Sequence, residues 1–499
     1  MSIEILAFGE PTNNWRGDAI LLLAGEGGHL GIVPQSLERY VEILMGRGDF
    51  DGKKGSLTKI PLFDENAKNL YLVGLGKVKE YTTNLNLLRD TLTGALRKIG
   101  RERNESVLIV SDQTGADVDI VLGEAAELAG YSFDKYKKKD DKAGKAGSTD
   151  KKEAEDGEFS LREIFTVRPN EGKIALGKVF GEAQCFARDL ANEPGNVINP
   201  VSLAEIASHF AKEYGLTCDI WDEKRLEVER MGGILAVGRG SATPPRMIHL
   251  TYTPKGEASK KIVFVGKGLT FDSGGLDLKP AEFMRTMKGD KSGACNVLGI
   301  MKGVAALEPM IEVHGIIAAA ENMPSGNAFR PDDIIRARNG KTIEIDNTDA
   351  EGRLALADAL VYACELKPDV IIDMATLTGA CAVALGNWTS GLFSADKALC
   401  EALLKSARRR GERLWRLPMD DEKIGESLKS KVADLVNCGS RYGGATFAAM
   451  FLAEFVEKGI SWAHMDIAGS DFMKDDSGVY AKGASAWGVR TCLDFLMEA

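Results

Sequence analysis

Four carboxylates in three separated runs, with two lysines among them, have the types and spacing for metal chemistry. The run KKIVFVGKGLTFDSGGLDLKP places Lys267, Asp272 and Lys279 in the loop region after an apolar strand. Asp290 follows in MKGDKSG, just before a helical pattern. EIDNTDAEGRLALADAL carries Asp349 and Glu351 at i,i+2, which in an extended segment turns both side chains to one face. Singly, each residue has an ordinary structural reading. Asp272 reads as a turn acid, Asp290 as a helix cap, Asp349 and Glu351 as partners of a helix dipole, and the lysines as surface charges. Together, four carboxylates in one cleft would repel one another unless cations neutralised them. Oxygen-rich sites select hard or borderline divalent ions such as Mg²⁺, Mn²⁺ or Zn²⁺, and bridging carboxylates can hold two ions about 3.5–4 Å apart. Two-metal hydrolysis is the chemistry this set suits.

Other chemistries find little support. The chain has five His, with no H-E-x-x-H and no pair at metal-ligand spacing, which argues against a His-based zinc site. No G-x-S-x-G occurs. NGKT at Asn339–Thr342 resembles the end of a phosphate loop, but Ile335 stands where the loop needs Gly. G-x-G-x-x-G fails at Leu30 and at Phe271.

The elements that would position these acids read as strand–helix–strand alternation. Ala19–Gly25, Leu70–Gly76 and Ser106–Ser111 are short apolar runs, and Asn84–Gly100 has helical spacing of its leucines. Later, Lys260–Gly268, Val313–Met323, Pro368–Leu377 and Ser461–Gly469 read as strands, with helices over Ser292–Leu307 and Gly352–Leu366. The pattern predicts two α/β domains, a smaller N-terminal sheet domain and a larger C-terminal one with a mostly parallel central sheet flanked by helices. Loops at the carboxyl edge of such a sheet are where ligands usually bind. Between the domains, 16 of the 25 residues from Asp134 to Glu158 are charged and none is Val, Ile, Leu, Phe or Trp, which predicts a solvated insertion or linker. The domains expected are 1–160, ending in that insertion, and 170–499.

The 499 residues are 44% hydrophobic and 27% charged, which suits large buried cores and excludes a disordered or collagen-like chain. Eight scattered Cys with no C-x-x-C pair read as reduced thiols. A net charge of −10 argues against a nucleic-acid partner. The absence of a basic leader and of any run of 18 apolar residues predicts a cytoplasmic chain with no membrane partner.

VGKGLTFDSGG, MKGDKSGA, NTDAEGRL and DMATLTGA, in that order, strongly resemble the leucyl (cytosol) aminopeptidase family of dinuclear metallopeptidases. RDLANEPGNVINP (Arg188–Pro200) and the region Ala433–Ala445 extend the likeness over roughly residues 170 to 499, and the first 160 residues match more loosely. The resemblance implies that Asp272 and Glu351 bridge two metal ions, that Asp349 completes the first site, and that Lys267 and Asp290 complete the second. Lys267 would ligate as a neutral amine, since an ammonium has no lone pair. The implied reaction is hydrolysis at the N-terminus of a peptide, with the α-amine on the second metal, the scissile carbonyl on the first, and attack by a water acidified by both. Lys279 would stabilise the oxyanion, and Arg353 would hold a bicarbonate that relays the proton. The ions implied are Mn²⁺ or Zn²⁺, with Mg²⁺ a further candidate, and the assembly is a homohexamer, a dimer of trimers.

Met287, Thr376 and Ala468 would line the pocket for the first residue, with Leu377 giving backbone contacts; Met287 and Ala468 read equally well as core. Three residues beyond Ala468 the family commonly has a small or apolar residue, and here stands Asp471. Facing the pocket, it would favour basic first residues. KGASAWGV near the C-terminus also departs from the family's KGATG-like run. A metal-dependent phosphoesterase is disfavoured because the set lacks His, and a catalytically silent binding protein because every key position is occupied by a competent residue.

Overall fold

A computed structural model describes residues 3–9, 14–26, 35–62, 67–77, 84–111, 115–137 and 158–499. Most of the charged run, residues 138–157, lies outside the described residues. The chain forms two compact units, Met1–Glu182 with Asp475–Lys482, and Ala183–Lys474 with Gly483–Ala499.

In the first unit, strands Glu4–Ala7 (β1), Gly17–Gly25 (β2), Leu57–Pro61 (β3), Ala67–Gly76 (β4), Ser106–Val110 (β5) and Glu163–Thr166 (β6) form one sheet. Its order is β1-β6-β5-β2-β4-β3, parallel except for β3 at the edge. The aliphatic runs of β2, β4 and β5 are continuous because both faces are covered. Ala19, Leu21, Leu23, Tyr71 and Val73 pack with helices Leu85–Arg101 and Ala116–Ala129. Their neighbours Ile20, Leu22, Leu70 and Leu72 pack on the other face with Leu37 and Val41 of helix Gln35–Arg47.

The second unit carries the predicted site. Strands Thr217–Trp221 (β7), Arg246–Tyr252 (β8), Lys261–Asp272 (β9) and Glu312–Asn322 (β10) are followed by the short strands Ile334–Arg336 (β11) and Thr342–Glu344 (β12). Val370–Ala375 (β13), Thr389–Phe393 (β14), Arg413–Arg416 (β15), Leu435–Val436 (β16) and Ser461–Asp466 (β17) follow, and Phe472–Met473 pairs with Gly483–Ala484 in a separate two-stranded ladder. Eight strands run in the order β15-β14-β17-β13-β9-β10-β8-β7. The central four, β17-β13-β9-β10, are parallel, and antiparallel pairings appear only towards the edges. Helices Ser292–Leu307 and Gly352–Glu365 follow β9 and precede β13, as the periodicity predicts.

One boundary differs in a way that matters. The β9 strand runs to Asp272, four residues beyond the glycine where the apolar run ends. Lys267 is therefore a strand residue, not a loop residue. Its neighbour β13 pairs with β9 only up to Met374 opposite Gly266, whereas β10 follows β9 as far as Asn322 opposite Asp272. The far half of β9 thus overhangs β13, and Lys267 stands at the rim although it lies mid-strand. Among the described residues, no helix is long and apolar enough to cross a membrane.

Away from that rim, His249 on β8 and His314 on β10 are in hydrogen-bond contact at 2.9 Å, and the Tyr362 hydroxyl lies 2.9 Å from His249 Nδ1. Burial, then the His314 charge, pushes His249 down to about 4, and burial also lowers His314 against the pull of Glu312. A histidine held neutral in the fold is protonated first in the unfolded chain. Its contribution is complete above about pH 6.5 and is lost as pH falls towards 4. For His249 this amounts to about 2 kcal/mol at pH 5. The thermal midpoint should fall between pH 7.5 and 5, and His249→Gln should flatten the fall; an unchanged slope in the variant would contradict the assignment.

Candidate metal centre

The β9 strand delivers two of the six charged residues and the turn after it a third. Gly274 and Gly275 take positive φ angles of 86° and 69°, a conformation in which a side chain would be strained, and this folds the chain back at the strand end. Gly274 N–H donates to Asp272 Oδ1 at 2.8 Å, so Asp272 fills its expected turn role while Oδ2 lies 2.8 Å from Lys279 Nζ. Lys279 also contacts Asp349. The loop that carries Lys279 is stitched to the Asp349 turn. Asp277 N–H donates to Thr348 Oγ1 at 2.9 Å, and Thr348 N–H returns a bond to Asp277 Oδ2 at 2.7 Å.

Asp349 and Glu351 reach the centre by a route the spacing did not predict. Residues 348–349 form a turn, and Glu351, with φ −74° and ψ −35°, already has helical backbone at the start of Gly352–Glu365. The two side chains diverge accordingly, Asp349 to Lys279 and Glu351 to Lys267 at 3.1 Å. Gly352 leaves the space that Lys267 needs, since a Cβ there would lie 2.7 Å from its Nζ.

Asp290 sits in the 3₁₀ turn Met287–Lys291 and caps nothing; helix Ser292–Leu307 has no side-chain cap. Its Oδ1 accepts from Thr376 Oγ1 at 2.6 Å, and its Oδ2 lies 2.9 Å from Lys267 Nζ. Lys267 also donates to Thr376 O at 3.1 Å, the point where β13 ends.

Four carboxylates therefore surround two ammonium groups, leaving a surplus of two negative charges when all are ionised. Burial opposes the Lys267 charge, but Asp290, Glu351 and Asp272 outweigh it and hold the lysine protonated well above its usual range. Lys279 is raised for the same reason, burial being overcome by Asp272, Glu351 and Asp349. Among the acids, burial and then the Glu351 charge raise Asp272, and burial pushes Asp349 up to about 6. Burial also raises Asp290, to about 8, with the Asp272 and Glu351 charges adding to it against the pull of Lys267. Glu351 moves the other way: burial would raise it, but Lys267 and Lys279 keep it low.

The residues fit divalent ions. Asp272, Asp290 and Glu351, all buried, each offer an oxygen within 4.8 Å of the others, the one such group among the described residues. Asp290 belongs to that group, and its Oδ2 faces Lys267 Nζ at 2.9 Å. The acids that favour the protonated form of Lys267 are the same ones that would bind cations.

Arg353 is buried, with Nη1 donating to Asn437 O at 2.7 Å and Nε without a hydrogen-bond partner. Met287, Thr376, Leu377 and Ala468 are half-buried, not core. Asp466 at the end of β17 links two of them, accepting from Leu377 N–H at 3.3 Å and from Ala468 N–H at 3.1 Å. Two further residues matter that sequence reasoning passed over. One is Asp466. The other is Asn322 at the end of β10, whose Nδ2 donates to Asp272 Oδ1 at 2.9 Å and to Thr348 O at 3.0 Å. Their place at the ends of central parallel strands was the available signal.

A cluster of acids and lysines at the carboxyl edge of a parallel sheet stands where ligands bind, and its donor set suits a metal-dependent hydrolase. The comparisons make this particular. Residues 185–493 match the family model "Cytosol aminopeptidase family, catalytic domain", and residues 24–140 match that family's N-terminal domain. The probable cytosol aminopeptidase of Aquifex aeolicus (strain VF5) is 48% identical over 99% of this chain and 98% of its own. That of Persephonella marina is 45% identical over 90% and 89%. Among solved structures, the bottromycin maturation enzyme BotP in complex with Mn has a TM-score of 0.83 at 32% identity, covering 97% of this chain and 99% of its own. A mutant of tomato leucine aminopeptidase has a TM-score of 0.85 at 32% identity, covering 100% and 97%. The chain belongs to the cytosol aminopeptidase family and is a metal-dependent aminopeptidase.

Because Asn322 orients Asp272 from behind, Asn322→Ala should weaken metal binding about 10–100-fold with the fold intact. Titration with Mn²⁺ reads this, and an unchanged affinity would remove Asn322 from the site.

Proposed function

We propose that the protein releases the first residue of peptides with a free N-terminus, leucine among others, by two-metal hydrolysis. The observation that carries this reading is the convergence of four acids and two lysines on one centre, with Asp272, Asp290 and Glu351 buried and more carboxyl groups than ammonium groups. Asp272 and Glu351 would lie between the ions, with Asp349 on one side and Lys267 and Asp290 on the other. Two divalent ions there, Mn²⁺ or Zn²⁺ with Mg²⁺ a further candidate, would supply Lewis acidity and a water acidified towards neutral pH.

The chain's own residues do the rest. Lys279, half-buried and favoured in its protonated form, would donate to the oxygen that gains charge as the amide carbon becomes tetrahedral. Lys267 must give up its proton to act as a ligand, which follows once other cations neutralise its acids. Arg353, with a buried donor unmatched, suits a small anion such as bicarbonate, which would carry the proton to the departing amine. Met287, Thr376 and Ala468 would receive the first side chain, and Leu377 would bind substrate through its backbone. A free α-amine is required, so N-acetylated peptides should resist cleavage. A homohexamer arranged as a dimer of trimers and a cytoplasmic location belong to the same reading, and light scattering measures the first.

Lys279→Ala should lower kcat about 10²–10³-fold while metal content is retained. Asp272→Ala should lose metal and activity together. Aminoacyl-amide assays paired with elemental analysis test both, and full activity in either variant would overturn the assignment.

A further inference from the structure

The acids of the centre are paired with Lys267 or Lys279, but one neighbouring carboxyl group is not. Asp471 is half-buried and makes no ion pair among the described residues; the Ser292 hydroxyl lies beside the turn Met287–Lys291 but donates to Gly289 O at 2.6 Å. Burial, and beyond it the charge of Asp466, works against its ionisation. A carboxyl group in such surroundings is costly unless a donor or cation completes it.

Its position closes a ring. Asp290 ties the turn Met287–Lys291 to Thr376. Asp466 ties Leu377 to Ala468. Asp471 then returns to the first turn, its Oδ2 lying 3.2 Å from where a Cβ on Gly289 would stand. Gly289 presents no side chain to that oxygen. The backbone is fixed on both sides, Asp471 N–H donating to Ile467 O at 3.0 Å and Ser485 N–H to Asp471 O at 2.7 Å. The carboxyl group thus lies against the turn Met287–Lys291, and its residue stands three positions after Ala468, so it neighbours two of the residues assigned above to the first side chain.

We propose that Asp471 is a specificity-determining residue that selects peptides whose first side chain ends in a cation, lysine or arginine. This deepens the aminopeptidase reading and rests on it. An ammonium or guanidinium arriving beside Gly289 would complete the carboxylate with a charge-assisted hydrogen bond. An aliphatic side chain of equal length would leave it unmatched.

Lysine and norleucine differ by that terminal group alone, so their amides give the test. The wild-type ratio of kcat/KM for lysyl over norleucyl amide should fall about 10–100-fold in Asp471→Asn, which keeps the shape and removes the charge. Asp471→Ser provides a second variant should the first fold poorly, with thermal midpoint and metal content checked in each. A ratio that is the same in wild type and variants would overturn the proposal. Hydrolysis of neither amide by the metal-loaded wild type would instead overturn the aminopeptidase reading. In that case thermal shifts with free lysine and free norleucine still decide about Asp471. A lysine-specific shift lost in Asp471→Asn supports it, and equal shifts refute it.

Discussion

Repulsion among clustered carboxylates, three of them buried, is the constraint around which the second unit's site is organised. Asp272, Asp290, Asp349 and Glu351 come from three stretches of chain and would separate if the backbone allowed it. It does not, because each is fixed from behind. Asp272 ends a twelve-residue strand, Asp290 lies in a turn fused to a buried helix, and Glu351 opens another buried helix. Asn322 and the Thr348–Asp277 pair of hydrogen bonds hold the remaining gap. The cost of assembling the acids is met by packing elsewhere, in aliphatic strands covered on both faces.

The two lysines divide the compensation unequally. Lys267 is sealed between Asp290, Glu351 and the end of β13, with Gly352 giving way to it. Lys279 comes from a loop, is half-buried, and bridges Asp272 to Asp349. Such an arrangement suits one lysine built into the centre and another at its mouth. Two lysines still do not match four acids in number, and burial raises Asp272, Asp290 and Asp349 in the absence of further cations.

Much of this was legible in the chain. The acids could be found because apolar runs end next to them, and the order of VGKGLTFDSGG, MKGDKSGA and NTDAEGRL pointed to the family. Helix Ser292–Leu307 has the bounds its periodicity indicates. Other features were hidden for identifiable reasons. A lysine flanked by glycines in GKG reads as the end of a strand, yet β9 continues because β10 pairs with it to Asp272. The i,i+2 spacing of Asp349 and Glu351 suggests an extended segment, whereas the helix that follows draws Glu351 into its first turn. Asn322 and Asp466 matter through bonds to residues 50 and 89 positions away, which local patterns do not encode. Likewise Asp475–Lys482 belongs with the first unit through contacts such as the 2.7 Å pair of Asp476 with Arg101.

Titrating the metal-stripped wild-type protein with Mn²⁺ in a calorimeter tests the charge-surplus account most directly. The account predicts saturation at two ions per chain, with amide hydrolysis appearing as the sites fill. Binding of no ion at the centre, with hydrolysis persisting in excess chelator, would contradict it.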